Sequence, residues 1–252
     1  MTGKTFSREI TSPIDLVQDA QSPARNHLTH TTIALTNQQV SDLQNICETI
    51  TAPLETALAS RDWWPLTMHW ALAGEVPTRA AAICRPTSTE QVSHVLSYCN
   101  EHRIPVTAAG GRSGVCGASI PLYGGVILDT TAMQGVVALD DESLTVEVLP
   151  GTFGPDLEAH IQSLGFTVGH YPQSFDIATV GGWVACRGAG QYSTRYGKIE
   201  DMVLGLRGVL PDGRPVEVRP VARRSVGPSI KDLLVGAEGT LGFITELTLR
   251  VW

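Results

Sequence analysis

Ile104-Pro105-Val106-Thr107-Ala108-Ala109-Gly110-Gly111-Arg112-Ser113-Gly114-Val115-Cys116-Gly117 is an apolar run that passes directly into a loop holding four glycines in eight residues. Ile104 to Ala108 predicts a strand. The bare backbone after it can turn several N–H groups toward one anion, because glycine admits positive φ and leaves room for a diphosphate to approach. A tight strand connection accounts for the same residues, so both readings stand at this point. A P-loop is excluded by the absence of a Lys in the loop. A Rossmann turn is excluded because residues 118–125 contain Pro121, Gly124 and Gly125 where its helix should start, and Val126-Ile127-Leu128-Asp129 then reads as a strand. The loop joins strand to strand.

Upstream, Ala80 to Cys84 predicts a short strand, and Pro86-Thr87-Ser88 predicts the entry to a helix. Ser88 with Gln91 fits a capping box, Val92, Val95, Leu96 and Cys99 form one apolar stripe, and the helix should end near Asn100 to Arg103. Strand, helix and strand then make a parallel crossover. Further upstream, helical spacing from Asn37 to Leu58 is interrupted by Pro53, which predicts two short helices. Trp63, Trp64 and Trp70 are a packing cluster or a ligand wall, and residues 1 to about 35 are polar and aperiodic, expected as a loosely ordered arm.

Downstream, Val136–Leu139 and Leu144–Leu149 predict a hairpin around Asp140 to Ser143. A helix follows from about Pro155 to a C-terminal Gly165. Met202–Leu210 and Val216–Arg219 flank Pro211-Asp212-Gly213 as a second hairpin. The last segment alternates Phe243, Thr245, Leu247, Leu249 and Val251 against Ile244, Glu246, Thr248 and Arg250, which predicts a half-buried strand. The fold class is α+β: a small strand-helix-strand unit followed by a larger antiparallel sheet flanked by helices.

With 252 residues the chain can bury a core without staples, as one large domain or two small ones. Eighteen Lys and Arg against 25 Asp and Glu give a charge of −7, which argues against a nucleic-acid partner. No apolar run approaches a membrane span, and no basic-then-apolar leader opens the chain, so a cytoplasmic location is expected. Five cysteines without a CxxC pair suit reduced thiols, and His27 and His30 lack the companions of a metal site, so no metal is expected.

Two further glycine-rich segments, Thr179-Val180-Gly181-Gly182 through Gly190 and Gly236 to Gly242, complete a set of three. Together they could line one elongated groove. A dinucleotide suits it, with amides for the pyrophosphate, an apolar wall for a ring system, and Ser174 and Thr179 for ribityl or ribose hydroxyls.

At these residues the chain resembles the flavin-binding domain of the vanillyl-alcohol oxidase and p-cresol methylhydroxylase family, the PCMH-type FAD domain. Gly169-His170-Tyr171-Pro172-Gln173-Ser174, Thr179 to Val184 and Tyr196 to Asp201 resemble most the alkyl-dihydroxyacetonephosphate synthases and D-2-hydroxyacid dehydrogenases. The resemblance implies an N-terminal arm with short helices at 1–77 and an FAD-binding domain at 78–252, split into subdomains of about 78–134 and 135–252.

It also implies that Thr107, Ala108, Ala109, Gly110, Gly111, Arg112, Ser113 and Gly117 hold the FAD diphosphate. Ala109 stands where a third glycine is usual and Arg112 where a threonine is usual; the arginine could add charge to the phosphate end. Pro172, Gln173, Ser174, Thr179, Gly181, Gly182, Arg187 and Gly190 would wall the isoalloxazine and diphosphate, with Gln173 where an Asp is common. Glu238, Gly239, Thr240, Gly242 and Ile244 would approach the flavin and adenosine portions. Some members bind FAD covalently through a His in the first loop. None stands here, so FAD is expected to be non-covalent. His170 is weighed between an acid-base or substrate role and a hydrogen-bonded structural one.

The implied function is the FAD-binding part of an oxidoreductase that passes a hydride from a hydroxyl-bearing carbon of a small 2-hydroxy-acid-like substrate to flavin N5. The alternatives are an alkyl-dihydroxyacetonephosphate synthase-like transferase and a non-catalytic FAD module. The substrate or cap domain that follows in the family is missing from this chain, so a C-terminal domain or a separate cap subunit is an expected partner.

Overall fold

In the computed structural model, residues 8, 10–12, 14–17 and 24–252 are described. The chain begins with β1 (Arg25–Asn26), α1 (Asn37–Ile46), β2 (Glu48–Ile50), α2 (Pro53–Ala59), α3 (Pro65–Ala71) and β3 (Glu75–Val76). It continues through β4 (Ala82–Arg85), α4 (Thr89–Glu101), β5 (Val106–Ala109) and β6 (Val126–Asp129). These elements form a four-stranded sheet of order β2-β4-β6-β5, in which β4, β6 and β5 are parallel and β2 is an antiparallel edge. The crossover through α4 therefore connects two strands that are not neighbours, and β6 fills the gap between them.

Helix α4 forms because Ser88 accepts a hydrogen bond from the Gln91 amide and the Val92, Val95, Leu96, Cys99 stripe is buried. The second half of the expected capping box is displaced by one residue: the Gln91 side chain accepts from the Thr87 amide at 2.7 Å. Pro53 starts α2 rather than kinking one helix, and the three residues of β2 stand between α1 and α2. Of the expected N-terminal arm, residues 1–7, 9, 13 and 18–23 lie outside the described residues. Its remainder is tied down by β1, which pairs with β3, and by a bridge from Ile33 to Gly124.

The second half holds β7 (Val136–Asp140), β8 (Thr145–Val148), α5 (Gly154–Gln162), α6 (Val180–Ala185), α7 (Ser193–Tyr196) and α8 (Ile199–Met202). After them come β9 (Val203–Val209), β10 (Pro215–Val218), α9 (Lys231–Leu234) and β11 (Phe243–Arg250). The antiparallel order is β10-β9-β11-β8-β7. Both hairpin turns are held by Asx bonds, Asp140 to the amides of Glu142 and Ser143, and Asp212 to that of Arg214.

The last strand departs from the expected half-burial. Ile244 and Thr248 are buried along with Phe243, Leu247 and Leu249, because β11 is the centre of its sheet and is covered on both sides. Helix α4 packs against β9 and β11, so Val92, Val95, Val209 and Phe243 share one core that joins the two sheets. The fold is α+β, a small mixed sheet with its crossover helix set against a larger antiparallel sheet.

Candidate functional site

The three glycine-rich segments meet where the two sheets join. A Cβ on Gly110 would lie 2.5 Å from Thr179 Oγ1, and one on Gly111 would strike the carbonyl oxygen of Ile177. On Gly239, at φ +82°, it would lie 2.5 Å from the Ala108 Cβ. These glycines let the segments touch. Gly114 has open space where its Cβ would be, and Gly182 faces only Thr179 Oγ1 at 3.2 Å, so ligand-side room belongs to these positions.

The amides of Gly111, Arg112, Ser113 and Gly114 donate to no acceptor among the described residues. Four successive unbonded donors in a glycine-rich loop suit an anion. Ala109, which stands where the family has a third glycine, belongs to β5 and needs no positive φ. The amides of the second segment are spent differently: Val180 donates to Thr152, Gly181 to Pro150, and Gly182 to Thr179 Oγ1. They start α6. Pro172, Gln173 and Ser174 form a turn closed by Phe175 and Ile177 donating to Pro172 and Ser174. Gly190 packs on the Tyr171 backbone, Thr240 donates to Ala237, Gly242 lies under Leu234 and Ile244 is buried in β11. Gly117, at φ +82°, rests on the Trp64 ring.

Among the described residues, five non-glycine residues adopt positive φ. Arg103 follows the end of α4 and Leu144 sits in a hairpin turn, but the other three, Arg112, Arg187 and Glu238, fall one in each segment. Such strain is held only where surrounding structure enforces it, and it gathers at ligand sites. Arg112 does not offer a free charge to the loop. Its guanidinium is buried and donates to Asp129 at 3.3 Å, and burial pulls its pKa below the usual arginine value against the opposing pull of Asp129. Arg187 pairs with Glu200 at 3.2 Å.

His170 corrects the expectation of a hydrogen-bonded structural role. It is fully buried, neither ring nitrogen has a partner among the described residues, and its ring meets Trp183 edge-on at 4.9 Å. Burial lowers its pKa to about 4, with Glu200 opposing, so the ring is neutral at pH 7. The three tryptophans divide their roles. Trp64 packs edge-on with Trp70, Trp70 stacks on His27, and Trp63 donates its amide to Gly114, bracing the first loop.

Sequence reading missed Glu158. This buried carboxylate accepts from the amides of Val168 and Gly169 and from Thr167, Tyr171 and Gln162, which fixes the approach to Pro172. The available signal was an acid set between Leu157 and Ile161 on the buried side of α5. Among the described residues no group of three or more metal-ligating side chains occurs, the five cysteines are free, and no helix is long and apolar enough to cross a membrane.

Comparison with known proteins shows the family of the chain. The profile of a family described as "FAD binding domain" matches residues 80–219, more than half of the chain and two of the three segments. The chain belongs to this FAD-binding family. A protein of Escherichia coli K12 described as the uncharacterized FAD-linked oxidoreductase YgcU is 41% identical over 175 residues, 68% of this chain and 36% of that protein. The D-lactate dehydrogenase of Anaerostipes hadrus is 38% identical, over 69% of this chain and 36% of its own length. The alkyldihydroxyacetonephosphate synthase of Dictyostelium discoideum is 35% identical, over 71% and 30%.

A solved alkyldihydroxyacetonephosphate synthase superimposes with TM-score 0.81 at 26% identity, over 96% of this chain and 44% of that one. A p-cresol methylhydroxylase with substrate bound aligns at TM-score 0.71 and 21% identity, over 85% and 43%, and shows the shared PCMH-type fold. The chain thus spans about a third of the length of the curated relatives it matches. The cofactor of the domain is FAD. The residues fit it: four free amides stand beside an open glycine position, and the segments touch one another just before them, at Ala108, Gly110 and Gly111.

Proposed function

We propose that this chain is the FAD-binding portion of an oxidoreductase that oxidises the hydroxyl-bearing carbon of a small 2-hydroxy acid. The carrying observation is the run of unbonded amides from Gly111 to Gly114, directly after Ala108 and Gly110, which touch Gly239 and Thr179; it suits the diphosphate of a dinucleotide. The likeness to a D-lactate dehydrogenase supports the substrate class. FAD supplies a hydride acceptor when bound.

The residues do the holding. Gly111 to Gly114 bind the diphosphate, with Ser113 and Thr179 as added hydroxyl donors. Pro172 to Ser174 face the ring system from a turn anchored by Glu158. Trp63 and Trp64 brace the outer side of the first loop. With no histidine in that loop, FAD is held without a covalent bond. Substrate contacts come from a further domain or a cap subunit, in keeping with the short span of this chain against its relatives.

Anaerobic mixing of the FAD-loaded chain with D-lactate or glycolate tests the reading. Bleaching of the visible flavin band supports it. Flavin that stays oxidised with both acids, with the chain alone and with added cap domain, overturns it. The likeness to alkyldihydroxyacetonephosphate synthases favours a second reading, a transferase whose flavin cycles without net electron transfer. Turnover of an alkyl exchange with no transfer of electrons to an acceptor would favour that one.

A further inference from the structure

The first loop owes its shape to one residue. The backbone φ is not positive at Gly111 and is +53° at Arg112, and such a change of hand between neighbours turns successive N–H groups to one side. A glycine would take the positive φ freely, whereas the arginine's Cβ opposes it. Surrounding structure must therefore hold Arg112 in place. We propose, on the reading that the Gly111 to Gly114 amides bind the diphosphate, that Asp129 is the residue that positions them, through its buried ion pair with Arg112.

Asp129 ends β6 opposite Ala109, on the last rung of the ladder before the loop. It is fully buried, and its two carboxylate oxygens have separate tasks. Oδ1 accepts from the Thr131 amide and hydroxyl at 2.8 and 2.7 Å, which closes the short turn Thr130–Ala132. Oδ2 accepts from Arg112 Nη1 at 3.3 Å, and the Arg112 side chain is itself only 9% exposed. Arg85 Nε lies 3.9 Å from the same oxygen, too far for a hydrogen bond, on a partly exposed side chain. The turn is tied back to the strand end, because Thr130 Oγ1 donates to the Ala109 carbonyl at 3.2 Å. Asp129 is thus fixed to the sheet before it meets the loop.

The far end of the loop is held by Trp63, which donates its amide to the Gly114 carbonyl at 3.0 Å. Between these anchors the Arg112 side chain is the tether. An arginine engaged with a buried carboxylate is not aimed at a ligand: its charge is matched and its reach is taken up, while its backbone N–H stays free. A buried ion pair adds little net stability over apolar packing, yet it admits few geometries, because each partner has lost its water and must meet the other. That suits a part whose task is to hold a backbone shape.

Asp129→Asn keeps an acceptor for Thr131 and removes the charge that holds Arg112, and Arg112→Met removes the tether from the other side. The double variant leaves neither charge of the pair buried alone, so it should fold even where a single variant does not. Calorimetric titration of the flavin-free parent and variants with FAD, ADP and riboflavin reads the effect. FAD and ADP should each bind the double variant about tenfold more weakly or worse, since binding must then order the loop. Riboflavin, which has the ring and ribityl chain but no diphosphate, should bind as it does to the parent. Arg112→Lys, which keeps a charged donor for Asp129, should recover part of the loss. An ion pair that only stabilises the fold would instead lower the affinity for all three ligands in step with the melting temperature. That result overturns the proposal, as do FAD and ADP affinities equal to those of the parent. A folded parent that binds neither FAD nor ADP would refute the diphosphate reading itself, whereas a parent that binds both, with variants that do likewise, refutes only the role of Asp129.

Discussion

Replacing His170 by Leu should flatten the acid limb of the stability curve. The imidazole is fully buried with both nitrogens unpartnered, and its pKa is lowered from 6.5 to about 4. The unfolded chain therefore binds the proton more tightly than the folded one. Stability from this residue is complete above pH 6.5 and is lost as the pH falls toward 4. At about 1.36 kcal/mol per pKa unit, the drop amounts to about 3 kcal/mol over that window. Carboxylates elsewhere titrate in the same range, so the decisive quantity is the difference between parent and His170→Leu. Urea unfolding at pH 7.5, 6.5, 5.5 and 4.5 gives it. The variant should be close to the parent at pH 7.5, because an unpaired polar ring is exchanged for an apolar side chain. It should gain about 3 kcal/mol relative to the parent by pH 4.5. A constant difference across the four pH values would refute the account of His170 as a neutral buried ring.

Glu158→Ala removes the acceptor of two backbone and three side-chain donors, and should cost about 3 kcal/mol in urea unfolding and lower FAD affinity through the 168–174 segment; a loss below about 1 kcal/mol would mean the carboxylate is no hub. Gly239→Ala places a methyl group 2.5 Å from the Ala108 Cβ at positive φ, so it should reduce both thermal stability and flavin retention. Gly114→Ala meets nothing within 4 Å, so its melting temperature without FAD should be unchanged and any loss of flavin reports ligand contact alone. Ser88→Ala should cost about 1 kcal/mol by removing the acceptor at the start of α4, read by thermal unfolding.

The crossover was legible because it is local. Ser88, the Val92 to Cys99 stripe and the strand before Gly110 obey capping and periodicity rules that act over a few residues. β2 was not legible, since three residues paired at a sheet edge leave no period, and α6 to α9 are one- or two-turn helices fixed by tertiary contacts. β11 misled for the opposite reason. Alternation was present in the sequence, but a central strand covered on both sides buries Ile244 and Thr248 as well.

At the site, the three glycine segments could be found by eye, but not the division of labour within them. Gly110, Gly111 and Gly239 let chain pass chain, whereas Gly114 opens toward free space, a distinction that depends on partners far along the sequence. Asp129 and Glu158 were overlooked because each looks like an ordinary acid until folding brings its donors from residues as distant as Arg112 and Tyr171.

The central claim, a non-covalent FAD cradle built on the Gly111 to Gly114 amides, is tested most directly by the visible spectrum of the FAD-treated, desalted protein before and after acid precipitation. The account predicts a flavin band that travels with the native protein and appears as FAD in the acid supernatant. Protein that emerges colourless after incubation with excess FAD, while folded by circular dichroism, would contradict it.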